Sequence, residues 1–345
     1  MAPRHPPENN PILSGDNATF TLQTTTLPPP GPNQTLVKVL YLSNDPAQRA
    51  WIQKGSDPER IYTEPVQKGE PMRAFGVCEV VQSSSENLKK GQLIYATSGW
   101  SEYALLDAKD CRPLYPDESA GIRPTHFIGA LGGPGLTAYY GLVDVVRAKA
   151  EDAVVVSGAA GATGSMVVQI AKHIVGCKKV IGIAGGDEKC RWVESLGADV
   201  CVNYKAPDFN EQLWRATDGF VEVYFDNVGG EILDLMLTRL KRFGRVAACG
   251  AIANYNKGGD PVGVKNWSEI IMNRLEIKGF IVTDAVVTGK SGPMLQKMVE
   301  KIKEGKIKIG RDSETVVPTK FEDVPKTWVM LFQGGNQGKL VTQIQ

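Results

Sequence analysis

Histidine is scarce in this 345-residue sequence, with only His5, His126 and His173 present. The six cysteines, Cys78, Cys111, Cys177, Cys190, Cys201 and Cys249, include no CxxC pair. Zinc centres draw on His and Cys at short spacings, so a histidine-based zinc site is not expected and no metal is assigned. Scattered cysteines read as small buried hydrophobes in a reducing compartment rather than as a disulfide framework. His5 falls in a Pro-rich lead-in, His173 lies mid-helix, and His126 reads as a packing histidine. No apolar run is long enough to span a bilayer. The N-terminal stretch MAPRHPPENNP lacks the apolar centre of a signal peptide, and the C-terminal VTQIQ carries no lipidation or peroxisomal signal. A net charge of +1 gives no basic excess for nucleic acid or an anionic membrane. The expectation is a cytoplasmic, soluble protein, in which the sequons at Asn17, Asn33 and Asn266 are chance matches.

What is present is a globular composition, 42% hydrophobic against 22% charged, long enough for two domains. Its centre is Ala153–Gly164, AVVVSGAAGATG. A strand of high β-propensity runs into Ser157 and three glycines, Gly158, Gly161 and Gly164. A helix with apolar residues at helical spacing follows. Strand, Gly-rich turn and helix form the entry to a dinucleotide-binding βαβ unit, where backbone N–H groups at a helix N-terminus meet a pyrophosphate. The spacing is GxxGxxG rather than GxGxxG, so the glycines alone are weak, and a ligand-free tight turn is the alternative.

Before Thr125 the pattern is short strands and turns: 36–42, 72–82, 91–97 and 100–106, a mostly β region. Beyond it, a helical stretch at 136–146 leads into strands at 153–157, 179–184, 199–203, 221–226, 243–249 and 275–283. These alternate with helices at 162–175, 187–196, 208–216 and 230–240, and a helix at 293–304 closes the series. That order implies a parallel sheet covered on both faces. Strand-like segments at 315–317 and 339–343 flank a helix near 324–332 and are expected to rejoin the first region.

The end of the second parallel strand selects the cofactor. NAD enzymes place an acid there for the ribose 2′-hydroxyl; here the sequence reads Ala184-Gly185-Gly186. Asp187 lies just beyond, at a position favoured for a helix N-cap, and Lys189 one turn on. The missing acid leaves room for a 2′-phosphate, which favours NADPH. Two alternatives stay open: Lys189 on a solvated helix face, or Asp187 rotated inward. Asn227 follows the fourth strand, and Cys249, Gly250, Ala251, Ile252, Ala253, Asn254 and Tyr255 follow the fifth. Both stretches lie where the carboxyl ends of parallel strands face a ligand.

Several stretches together resemble the zinc-independent branch of the medium-chain dehydrogenase/reductase superfamily, and within it the alkenal/enone double-bond reductases. They are ALGGPGLTAYYGL after Gly129, SGAAGATGS after Val156, AGGDEK after Ile183, Asn203-Tyr204-Lys205, DNVGGE after Phe225, RVAACGAI after Gly244, EIKGFIV after Leu275 and NQGKL after Gly335. The resemblance implies a Rossmann doubly wound parallel sheet at 126–309. It also implies a GroES-like mostly β domain at 1–125, completed by 310–345, with the active site in the cleft. It places NADP(H) on Gly161, Ala162, Thr163 and Gly164, with Lys189 and Tyr204 at the 2′-phosphate. Asn227, Cys249–Tyr255, Phe280, Ile281, Val282 and Asn336 then surround the cofactor. The other reading of 280–282 is a buried or edge strand.

The implied chemistry is hydride addition to the β-carbon of an α,β-unsaturated carbonyl, with the carbonyl polarised by hydrogen bonds. Two departures from the family matter. Its Ile-Ile-Tyr stretch ends here in Met272, and its Asp-Pro-Tyr-Met-Arg stretch reads Asp45-Pro46-Ala47-Gln48-Arg49. Tyr255 remains for the polar role, with packing against the cofactor as the equal alternative. Asp45 and Arg49 read as a structural pair. Ala47 and Met272 suggest a roomier, apolar pocket for a bulky hydrophobic enone, such as a secondary metabolite. Rival functions are an NADPH quinone reductase and a non-catalytic NADPH-binding sensor or structural protein. The 275–283 strand reads as an apolar sheet edge needing cover, and the resemblance, in which this strand often pairs with its copy in a second subunit, implies a homodimer.

Overall fold

The computed structural model describes residues 1–3, 10–55, 57–257 and 262–345; His5 lies outside them. The chain divides into two compact units, Met1–Gly129 with Glu314–Gln345, and the continuous Ala130–Ser313. Among the described residues no helix is long and apolar enough to cross a membrane.

The first unit is built on a seven-stranded sheet. Gln34–Ser43 pairs antiparallel with Phe75–Ser83 and with Tyr103–Asp107. Its alternation places Thr35, Val37 and Val39 inside while Lys38 faces water. The tail strand Lys339–Ile344 pairs with Gln34–Ser43 on one side and parallel with Glu314–Thr319 on the other. The tail helix Val324–Val329 carries Trp328 into the core, where its ring centroid lies 5.7 Å from that of Trp100. Polar contacts tie the same segments. Lys339 Nζ reaches Asp45 at 2.6 Å and the Asn44 carbonyl at 2.9 Å. Glu314 accepts from Arg123 at 2.9 Å and Thr125 at 2.7 Å. His126 is buried, and its Nδ1 accepts the Arg123 N–H at 3.0 Å.

The second unit holds six parallel strands in the order Val200–Asn203, Lys179–Ala184, Ala153–Ser157, Val221–Asp226, Leu240–Ala248 and Glu276–Gly279. Every residue of Ala153–Ser157 is buried, as its unbroken apolar run requires of a strand covered on both faces. The chain travels outward from this strand to Val200–Asn203, then returns to Val221–Asp226 on its other side. That reversal opens a crevice at the carboxyl ends of the two central strands.

Two expectations change here. The strand at 275–283 is only Glu276–Gly279, and Thr283 already begins a helix, Thr283–Val287. Between them Phe280 leaves the sheet to pack edge-on against Phe225 and Tyr140; this tertiary contact overrides the β-propensity of Ile281-Val282-Thr283. The strand at 243–249 instead begins at Leu240, and the preceding helix ends at Leu237. Val221 pairs with Leu240 but Val223 with Arg245, so the intervening residues bulge, with Phe243 at a φ of 63°.

At the start of the Val221–Asp226 strand, Glu222 accepts from Ala153 N at 2.7 Å, Lys241 at 2.6 Å and Lys178 at 3.0 Å. Burial pushes this carboxyl up, but the three donors outweigh it and hold it at about 2. The depressed value means stability that is complete above the unfolded pKa of roughly 4.3 and is lost as pH falls through the folded one. Glu222→Gln should melt below the parent near neutral pH and converge with it near about pH 2, read by thermal denaturation across that range.

Candidate functional site

The carboxyl edge of the parallel sheet gathers most of the residues singled out in the sequence. Gly158 turns the chain out of its strand at a φ of 59°, a conformation suited to glycine. Gly161 caps the helix Ala162–Ile170. The first-turn N–H groups of Ala162, Thr163 and Gly164 have no partner within the helix, the arrangement that suits an anion. Close packing explains the third glycine: a Cβ at Gly164 would lie 2.2 Å from Gly158 O and 2.8 Å from Ala159 Cα.

Asp226, which the sequence reading passed over, organises this edge. Its Oδ1 accepts from Ser157 Oγ at 3.1 Å, Tyr224 OH at 2.7 Å, Val228 N at 3.0 Å and Gly229 N at 2.9 Å. Its carbonyl accepts from Cys249 N and Gly250 N. Asn227 Nδ2 donates to Ser157 O at 2.8 Å, fixing that residue beside the glycine loop. In the next loop Ala253 N donates to Val228 O, and Ala251 N donates to the Tyr255 hydroxyl oxygen at 3.2 Å. Tyr255 therefore stabilises its own turn, whatever else it does. Phe280 continues the row: a Cβ on Gly141 would stand 2.3 Å from its ring. Ile281 and Val282 follow in the link to the next helix.

Beyond Gly185 and Gly186 the chain builds a cationic corner. The Tyr204 ring covers Gly185 so closely that a Cβ there would lie 2.8 Å from the phenol oxygen, and the ring remains 44% exposed. Asn203 Oδ1 accepts from Gly186 N at 2.8 Å and Lys205 N at 3.0 Å, while its Nδ2 donates to Asp187 Oδ1 at 2.8 Å. Asp187 is thus the first residue of the helix Asp187–Ser195, with Gly186 as cap, and Asn203 engages its carboxylate. Burial and the neighbouring Lys205 push the Lys189 ammonium below its ordinary pKa. Asn203 and Lys205 were missed as site residues because only the fold brings this strand end beside Lys189.

Not every expected residue joins this edge. Met272, at the end of the helix Trp267–Asn273, is 68% exposed. Asn336 belongs to the first unit, where its Nδ2 donates to Gly338 O at 2.8 Å. In that unit Asp45 receives Lys339, and Arg49 is fully buried, its guanidinium pushed down to about 10 by desolvation. Tyr62 OH, also missed in the sequence, accepts from Trp51 Nε1 at 2.9 Å. A cavity of about 430 Å³ lies over the stacked Phe75 and Tyr95 rings, rimmed by Asp107, Lys109, Asp110 and Arg112. Its mixed charge suits a polar guest better than an apolar one. Among the described residues no group of three or more His, Cys, Asp or Glu side chains is placed to hold a metal ion.

The glycine packing yields a stability test. Gly164→Ala should cost about 1–3 kcal/mol through overpacking against backbone. Gly161→Ala, whose Cβ would stand 3.2 Å from Gly158 O, should cost less; urea unfolding midpoints measure both.

Residues 9–114 match the family described as the N-terminal domain of oxidoreductase, and residues 162–303 the one described as zinc-binding dehydrogenase. The chain is 35% identical to prostaglandin reductase 1 of Rattus norvegicus over 331 residues, 95% of this chain and 94% of that protein. It is 36% identical to 2-alkenal reductase (NADP(+)-dependent) of Nicotiana tabacum over 318 residues, 92% of this chain and 89% of that protein. The crystal structure of CurA from Vibrio vulnificus in complex with NADPH superimposes with a TM-score of 0.87 at 34% identity, covering 100% of this chain and 98% of that one. The chain belongs to the zinc-independent alkenal/enone reductase group of the medium-chain dehydrogenase/reductase superfamily.

Proposed function

We propose that this chain is an NADPH-dependent, zinc-independent oxidoreductase that reduces the C=C bond of α,β-unsaturated aldehydes and ketones. One observation carries the cofactor choice. Where an NAD enzyme would present a carboxylate, Asp187 is hydrogen-bonded by Asn203, and Lys189 and Lys205 lie close enough for one to lower the other's pKa. Two cations and a phenol suit a 2′-phosphate, and an acid-free Ala184-Gly185-Gly186 turn leaves it room.

When bound, NADPH supplies the hydride for the β-carbon. The N–H groups of Ala162, Thr163 and Gly164 hold the pyrophosphate, and Lys189, Lys205 and Tyr204 hold the ribose phosphate. Asn227, the Cys249–Tyr255 turn and Phe280–Val282 would shape the edge that receives the nicotinamide, and Asn336 is assigned to the same cofactor. Negative charge growing on the substrate carbonyl oxygen needs a donor. The Tyr255 hydroxyl is assigned that role, its oxygen polarised by the Ala251 N–H. Ala47 in place of a tyrosine favours a bulky, hydrophobic enone, whereas Met272 lies on the surface. The protein acts in the cytoplasm as a homodimer. Its edge strand Glu276–Gly279 exposes Ile277, and the helix leading to it exposes Trp267, Ile271 and Met272, an apolar face suited to a second copy.

NADPH consumption with medium-chain alkenals, bulky enones, quinones and saturated aldehydes, with products identified by mass and NMR, tests the reading. Saturated carbonyl products are expected, with bulky enones preferred; quinols or alcohols would overturn it. Lys189→Ala and Lys205→Ala should each raise the Kd for NADPH about tenfold or more, the weight of a charge-assisted hydrogen bond, and leave NADH unchanged. Tyr255→Phe should lower kcat by about a hundredfold; an unchanged kcat would assign Tyr255 to packing. A monomeric mass by light scattering at micromolar concentration would overturn the dimer.

A further inference from the structure

The cationic corner stands on a seam between the helix Asp187–Ser195 and the edge strand Val200–Asn203. Asp187, Cys190 and Glu194 recur at spacings of three and four, so they share one helix face. Each meets the strand in turn. Asp187 accepts from Asn203 Nδ2 at 2.8 Å, Glu194 Oε1 accepts from Cys201 N at 3.0 Å, and between them Cys190 and Cys201 lie near enough for each thiol to shift the other's pKa. An independent feature places the Cys201 sulfur on the helix side of the sheet. A Cβ built on Gly182, its register partner, would meet both Cys201 Sγ at 3.0 Å and Val193 Cγ1 at 2.7 Å, and Val193 belongs to that helix. Cys190 is buried, with 6% of the residue exposed, and Cys201 is partly exposed.

We propose that Cys190 and Cys201 form a peroxide-sensitive dithiol whose oxidation to a disulfide weakens the binding of NADPH through the adjoining Lys189 and Tyr204. Their proximity polarises the pair: Cys201 holds the Cys190 thiol below the ordinary thiol range, and the Cys201 thiol is left far above it. Cys190 is therefore the attacking sulfur. Its thiolate attacks one peroxide oxygen, the O–O bond breaks, and a sulfenic acid forms as the departing hydroxide takes a proton to become water. Cys201 sulfur then displaces the sulfenic hydroxyl as a second water, and an S–S bond forms. Two electrons pass from the thiols to the peroxide. A covalent bond draws the sulfurs together to about 2.05 Å, pulling the helix toward the strand. Lys189 directly precedes Cys190, and Tyr204 follows Asn203 on the same strand end, so the phosphate-binding groups must shift with it.

The coupling rests on the NADPH reading above; the dithiol does not. Purified protein is treated with hydrogen peroxide, alkylated and peptide-mapped, and its Kd for NADPH and NADH is measured by fluorescence before oxidation, after it, and after dithiothreitol. The expected result is one Cys190–Cys201 linked peptide and an NADPH Kd about tenfold weaker, the loss of one charge-assisted contact. NADH binding should be unchanged, and reductant should restore the parent. Cys190→Ser and Cys201→Ser should bind NADPH as the reduced parent does and ignore peroxide. Absence of the linked peptide would overturn the dithiol. A linked peptide with unchanged NADPH affinity would overturn the coupling. A reduced protein that binds no NADPH would overturn the cofactor reading and with it the coupling, while the peptide map still decides the dithiol.

Discussion

One buried carboxylate holds the carboxyl edge of the parallel sheet together. Asp226 takes four donors on a single oxygen and two more on its carbonyl, joining the ends of three strands. Burying such a group is costly unless its oxygens are satisfied, so the surrounding loops adopt the shapes that satisfy it. The Asn227–Gly230 turn curls so that Val228 and Gly229 N–H groups point back at it, and Ser157 turns inward at the start of the glycine loop. Tyr224 lies in the core with its hydroxyl on the same oxygen, and this burial drives its pKa well above the ordinary value. A ligand-binding edge gains from this arrangement because its loops are fixed before anything binds.

The cationic corner shows the same economy on a smaller scale. Asn203 carries no charge, and its Asn203-Tyr204-Lys205 stretch marks the family without giving Asn203 a role. Its amide nevertheless sets the Gly186 turn, the start of Lys205 and the direction of Asp187. An acid that could imitate the ribose-binding carboxylate of an NAD enzyme is thereby engaged in holding a helix to a strand. Cofactor preference in such a site depends as much on what restrains the wrong group as on what attracts the right one.

The alternation of strands and helices was readable because it depends on local periodicity: 153–157, 179–184 and 221–226 carry their burial in their own residues. The glycine loop was readable for a similar reason, since a left-handed Gly158 and the crowding at Gly164 are demands of the backbone. What escaped depends on residues remote in sequence. Phe280 leaves the sheet because Gly141 and Phe225 make room for its ring. Lys205 meets Lys189, and Cys201 meets Cys190, only after two strands have been laid in register. Read in isolation, the cysteines are merely scattered apolar residues. Asp226 at the end of an apolar strand carries no sign of how many donors will converge on it.

The placement of the C-terminal strand bears on how the chain is made. Lys339–Ile344 lies between Glu314–Thr319 and Gln34–Ser43, so the first sheet lacks a middle strand until that segment is synthesised. The second unit, by contrast, is one continuous stretch, Ala130–Ser313, and all its strands are available earlier. On the ribosome the later-encoded unit therefore completes its fold first, while in the earlier one Tyr41–Ser43 waits for its strand partner. That interval, rather than the finished protein, is where this architecture is most exposed to mispairing.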